Sequence, residues 1–185
     1  SKGQVFCNMK LPEIVKEKNS KNKKFNQIFE NTIHGIDALR YIFGDLKIIH
    51  KEKIRLKNFD SSRFVILKSK RKHLCSIIIN SNSPDNFSLE IENGSKRFLL
   101  RPFEKYKIYK GLTIVEPSMK YPIRSYVPKL IENGHVFNEK KNFDIKPGFF
   151  EQATDFYKII LGKNSSSAAT LVDAFKGQKL LKTIM

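Results

Sequence analysis

The chain has 185 residues, 40% of them hydrophobic, which is enough for one good-sized domain with a real core. It carries 35 basic residues against 18 acidic ones, a formal net charge of +17, yet only seven of the 35 are arginine. Phosphate and base recognition favours arginine forks, so the scattered lysines read as solvated surface, helped at most by an anionic small-molecule substrate. There is no apolar run of about 18 residues to span a membrane, and the first residues lack the order of a signal peptide.

In chain order, residues 3–9 predict a short buried strand. Residues 16–24 form a polar run without periodicity, expected as an exposed loop. A helix follows over 32–43: Asn31 or Thr32 can cap it, Ile33, Ile36, Leu39, Ile42 and Phe43 form its stripe, and Gly44 can end it. Strands are expected over 47–57, 63–68 and 74–80. An alternating strand, 87–92, is joined by the tight-turn pair Asn93-Gly94 to 96–101. Residues 103–109 and 111–115 continue the pattern as two further strands. Residues 117–128, with three prolines, read as irregular, and 129–139 as a loop or short helix. Pro147 can open a helix whose stripe (Phe149, Phe150, Ala153, Phe156, Tyr157, Ile160, Leu161) is core by spacing, with Gly162 as its stop. Ser166 or Ser167 would cap a last helix with the stripe Leu171, Ala174, Phe175, Gln178, Leu181 and Ile184. Helix, many strands, two helices predict a single domain over 1–185. Its class is α+β, an open, mostly antiparallel or mixed sheet with helices packed on one face. Cys7 and Cys75, without metal-ligand spacing, read as buried thiols in a reducing, cytoplasmic setting, with a disulfide as the alternative.

The polar residues of the first helix carry the chemistry. Its sequence runs Glu30-Asn-Thr-Ile-His-Gly-Ile-Asp-Ala-Leu-Arg-Tyr-Ile-Phe-Gly-Asp45. His34 and Asp37 lie three apart and Glu30 four before His34, so an imidazole and two carboxylates share one helix face. Grouping them costs desolvation, and proton transfer is a reason to accept that cost. A satisfied cap at His34 and an Asp37–Arg40 pair are the plainer alternatives. His50, His73 and His135 lack acidic partners at ligand spacing, so no metal site is expected.

This stretch resembles a known family. With Phe87-Ser-Leu-Glu-Ile-Glu…Phe98-Leu-Leu-Arg-Pro-Phe-Glu-Lys-Tyr as a second motif, Lys146-Pro-Gly-Phe-Phe-Glu-Gln-Ala-Thr-Asp-Phe as a third and Ala-Thr-Leu-Val-Asp-Ala-Phe-Lys-Gly-Gln-Lys-Leu as a fourth, it is similar to one domain of a two-domain enzyme. That domain is the C-terminal half of the glucose–fructose oxidoreductase / inositol dehydrogenase / MocA oxidoreductases. The four motifs, in order, span nearly the whole chain.

The resemblance implies a substrate-binding and oligomerisation domain of an NAD(P)-dependent enzyme acting on a sugar, polyol or nucleotide-sugar. Its N-terminal Rossmann domain would hold NAD or NADP. None of the nine glycines here approaches Gly-x-Gly-x-x-Gly, so no cofactor is expected on this fragment, which should be inactive alone. By the same resemblance His34 is the general base or acid, Asp37 orients it, and Glu30 stands where the family commonly has Asp. Asn31, Arg124 and Tyr126 are candidate substrate contacts, Arg124 as a clamp for a phosphate or carboxylate. A homo-oligomer through the sheet face is implied as well. Two other readings remain: a non-enzymatic basic module binding nucleic acid, for which Lys105, Tyr106, Lys107, Tyr109 and Lys110 come closest, and a degenerate member kept for assembly.

Overall fold

Alternation sets the first strand, β1 (Phe6–Glu13): Cys7, Met9 and Leu11 are buried on one side, while Phe6 and Asn8 are exposed on the other. The structure, a computed structural model, describes residues 5–13, 24–56, 59–81, 84–136, 144–165 and 168–185. Residues 3 and 4, and the polar run apart from Lys24, lie outside these.

Helix α1 (Lys24–Phe43) begins eight residues before the expected cap and ends as foreseen, with Gly44 at φ 74° donating its N–H to the Arg40 carbonyl. Seven strands follow: β2 (Leu46–Leu56), β3 (Phe59–Ser69), β4 (Leu74–Ser81), β5 (Ser88–Glu92), β6 (Lys96–Leu100), β7 (Lys105–Val115) and β8 (Ser125–His135). They form one eight-stranded sheet in the order β2-β3-β4-β1-β5-β6-β7-β8. Only β1 and β4 run parallel, and every other neighbour pair is antiparallel. The mixed sheet of the α+β expectation is therefore present.

Two stretches differ from the sequence reading. Residues 103–115 are not two strands: β7 passes through Gly111, which takes φ 67° and absorbs a bulge between Tyr109 and Leu112. Residues 125–135, read as irregular or helical, form β8. Its Pro128 and Lys129 mask a strand on the sheet's edge, where a proline costs no ladder bond on the solvent side. The hairpin at Asn93-Gly94 stands as expected. Gly94 is at φ 81°, and the Asn93 side chain accepts from the Ser95 and Lys96 N–H groups.

The core lies between the sheet and helices α1 and α3 (Leu171–Ile184). Met9, Leu11, Val65, Leu67, Ile77 and Ile79 meet Ile36, Leu39, Leu181 and Ile184 there. Gly35 lets α1 approach closely: a Cβ on it would sit 2.5 Å from Leu11 Cδ2 and 2.9 Å from Met9 Sδ. The last helix is capped by Thr170, in a reciprocal box with Asp173, not by Ser166 or Ser167, which lie outside the described residues. Its stripe is corrected too: Gly177, Leu181 and Ile184 are buried, whereas Leu171 and Phe175 are exposed. Helix α2 (Phe149–Ile160) starts after a left-handed Gly148 N-cap, so Pro147 precedes rather than opens it, and it buries none of its residues, so Phe149, Phe150, Phe156 and Tyr157 are surface and not core. Helical spacing shows that a helix has an apolar side, not what meets it.

Candidate active site

The phase of α1 follows from its buried residues. Thr32, Gly35, Ile36 and Leu39 face the sheet, and Ile33 and Arg40 turn toward α3. His34 and Tyr41 lie half a turn round from the buried side and are exposed; Asp37 stands beside them, half-buried. Glu30 occupies the same face by helical position, though its side chain lies outside the described residues. The expected grouping on one helix face is present in the backbone, and the face looks away from the sheet. Asn31, half-buried, turns toward the β5–β8 side.

The C-terminal end of α1 is tightly held. Arg40 Nη1 donates to the Asp173 carbonyl at 2.6 Å, and its Nη2 lies 3.6 Å from Asp45 and 3.8 Å from Asp173 carboxylate oxygens. Asp37 is thus not the partner of Arg40. The Lys176 ammonium, hydrogen-bonded to Asp45, holds that carboxyl below its usual range, with Lys70 and Arg40 adding to the effect. Hydrogen bonds from the Thr170 hydroxyl and N–H do the same for Asp173.

α1 runs antiparallel to β1, since Gly35 packs on Met9 and Leu11 while Phe43 meets the His73 ring just before β4. Its start, with His34, therefore lies at the sheet end where β1 and β4 finish and β7 begins. The register puts Arg124 and Tyr126 at the opposite end, where Ser125 pairs with Val115 and Tyr126 with Ile114. These two residues are not brought together with His34. Arg124 is bound to Glu116, at 2.9 Å from Nε and 2.8 Å from Nη2, and Tyr126 is exposed.

Two residues that the sequence reading did not single out as a pair sit at the His34 end. Tyr106 donates its hydroxyl to Glu132 Oε1 at 2.7 Å, which holds the phenol above its ordinary range. Both side chains lie on the sheet face that carries α1 and α3, and β7 is three strands from β1, about 14 Å at the usual strand spacing. Period-two alternation places Tyr106 on that face, but the partner came from a strand hidden by its proline. The other face, beside the β5–β6 turn, has a shallow groove of about 330 Å³ bounded by Arg97, Tyr109, Leu112 and Pro128. There Arg97 pairs with Glu90 and stacks on Tyr109. The groove lies at the sheet end away from His34.

Among the described residues no group of three His, Cys, Asp or Glu could hold a metal ion, and no helix is long and apolar enough to cross a membrane. Among the described residues the one parallel strand pair, β1 and β4, is joined through α1, β2 and β3, and the sequence between β1 and α1 contains no glycine.

The fold, an eight-stranded mixed sheet with helices on one face, is shared with part of several solved dehydrogenase and oxidoreductase structures. A dehydrogenase (MviM) from Clostridium difficile matches with a TM-score of 0.66 at 16% identity, over 98% of this chain and 54% of that one. Levoglucosan dehydrogenase in complex with NADH and L-sorbose matches with a TM-score of 0.66 at 12% identity, over 99% and 57%. A mutant of KijD10, a 3-ketoreductase from Actinomadura kijaniata, in complex with TDP-benzene and NADP, matches with 0.58 at 9%, over 99% and 52%. The chain thus spans about half the length of the structures it matches. No family model matches the sequence, and no curated protein does.

Proposed function

We propose that this chain is the substrate-binding and oligomerisation half of an NAD(P)-dependent oxidoreductase. The substrate is a sugar, polyol or nucleotide-sugar, reacting at a hydroxyl or carbonyl. The observation that carries this reading is the extent of the match: essentially all of this chain follows about half of several solved oxidoreductases, two of which are seen with NADH or NADP. In this reading the dinucleotide belongs to a separate Rossmann domain, in keeping with nine glycines that never approach Gly-x-Gly-x-x-Gly, and the chain alone is inactive.

In this reading the protein groups here handle the proton. His34 takes the proton of a reacting hydroxyl, or returns one to a carbonyl oxygen, and imidazole suits that step near neutral pH. Asp37, one turn on, orients it, and Glu30 adds a second carboxylate from the preceding turn. Asn31 contacts substrate on the β5–β8 side. The exposed face of α1 leaves His34 open to a second domain closing over it. Arg124 and Tyr126, at the far end of the sheet, serve the surface between copies; a substrate contact there requires Arg124 to leave Glu116. The sheet face opposite the helices, with Phe6, Leu112, Ile114, Tyr126 and Leu130 exposed, supports a homo-oligomer.

The test is the parent enzyme carrying both halves, assayed for NAD(P)-dependent turnover across sugars, polyols and nucleotide-sugars. Turnover on one such class is expected, while this chain alone shows none and binds no NAD(H). Tight NAD(H) binding by the chain alone overturns the reading. The nucleic-acid alternative has less support, because Lys105, Lys107 and Tyr109 share one strand face while Tyr106 takes the other.

A further inference from the structure

Cys7 and Cys75 are 68 residues apart in sequence and directly opposite in the fold. They are register partners across the β1–β4 pair, and both are buried free thiols. Their place matters. Among the described residues β1 and β4 form the only parallel seam, and it joins the β2–β3–β4 meander to the β1–β5–β6–β7–β8 half. No other strand pair crosses it.

Partners in a β-ladder lie about 5 Å apart at Cα, within the roughly 4.4–6.8 Å that a disulfide spans. Both side chains point to the helix side, as the burial of Cys7, Met9 and Leu11 with Cys75, Ile77 and Ile79 shows. The pair stands at the second position of each strand, where ladders fray without global unfolding. We propose that Cys7 and Cys75 are a latent oxidation site, converted by hydrogen peroxide into a cross-strand disulfide that locks the seam between the two halves of the sheet.

The chemistry balances in two steps. The Cys75 sulfur attacks a peroxide oxygen, the O–O bond breaks, and water leaves, giving a sulfenic acid. The Cys7 sulfur then attacks that sulfur, the S–O bond breaks, and a second water leaves. The two thiols lose two electrons together, and the peroxide is reduced to two waters. Only a small oxidant reaches this site, because Cys7 is 4% exposed and Cys75 is fully buried. In the resting state the hydrogen bond to Cys75 and burial hold the Cys7 thiol protonated, far above the ordinary range. Oxidation therefore waits on fraying and is slow at low peroxide.

The experiment treats the purified chain with hydrogen peroxide and reads intact mass, a linked-peptide map and the melting midpoint. The expected product has lost the mass of two hydrogen atoms and contains a Cys7–Cys75 peptide. It melts several degrees higher, because the link closes a long loop of the unfolded chain, and a thiol reductant restores the starting midpoint. Cys75→Ser should abolish the mass loss and the shift. If that variant fails to fold, the wild-type peptide map still decides. A folded protein that only gains oxygen atoms, remains unmodified, or links cysteines between chains overturns the proposal. This inference is independent of the oxidoreductase reading, and failure of either leaves the other standing.

Discussion

Arg40 on α1 reaches the backbone carbonyl of Asp173 at the first turn of α3, so one guanidinium joins the end of one helix to the start of the next. Its side chain is only 8% exposed although both carboxylate partners are 45% exposed. Arg40→Ala removes a charge-assisted hydrogen bond and the packing of its stem. A loss of about 1–2 kcal/mol is expected in urea unfolding, toward the low end of the buried-bond range because the carboxylates face water. A midpoint indistinguishable from wild type would show the contact to be idle.

The same cluster sets an acid limit. Asp45 and Asp173 have folded values held below the usual carboxylate range, as does Asp85 through the Asn86 N–H and then Arg101. For depressed groups the stabilising effect is full above the unfolded value of about 3.9, and fades as pH falls through the folded values. Denaturation midpoints should therefore be level between pH 5 and 7 as far as these groups are concerned, and drop below about pH 4. Asp173→Asn should flatten part of that drop. A curve unchanged in the variant counts against the assignment.

Gly35 is expected to tolerate no side chain. Gly35→Ala adds a methyl against fully buried Leu11 and Met9, and overpacking of this kind costs roughly 1–3 kcal/mol, more than the helix-propensity gain of about 1. Thermal melting of the variant gives the sign, and a stabilised Gly35→Ala would mean α1 lifts from β1 without cost.

Leu181 and Phe156 make a contrasting pair. Leu181 is 1% exposed and Phe156 65%. Leu181→Ala should cost about 2–5 kcal/mol, while Phe156→Ala should stay within about 0.5 kcal/mol in this chain. Equal losses would mean that α2 packs where no burial is seen.

His34→Ala should lower turnover of the intact parent enzyme by a hundredfold or so, the usual scale of a lost acid–base group, and leave this chain's stability unchanged because the residue is exposed. Unchanged turnover removes His34 from the mechanism.

Much of the architecture was legible. Buried strands showed as apolar runs, the Asn93-Gly94 turn by its left-handed glycine, and the end of α1 by Gly44. β8 was not, because proline and lysine on an edge strand imitate a loop, and the reason they are tolerated is the empty space beside them. The spacing expected the cap at Ser166 or Ser167, farther from the helix; the reciprocal bond with Asp173 places it at Thr170, directly before Leu171.

What the sequence determined alone is what local spacing dictates: the class of fold, the shared helix face of Glu30, His34 and Asp37, and the absence of a glycine-rich dinucleotide loop. Tertiary structure decided what meets what. It brought Cys7 to Cys75 and Arg40 to Asp173, separated Arg124 from His34 by the length of the sheet, and left the apolar side of α2 uncovered. The physical reason is that periodicity depends on neighbours along the chain, whereas burial and pairing depend on strands and helices that meet only after the sheet has closed its register.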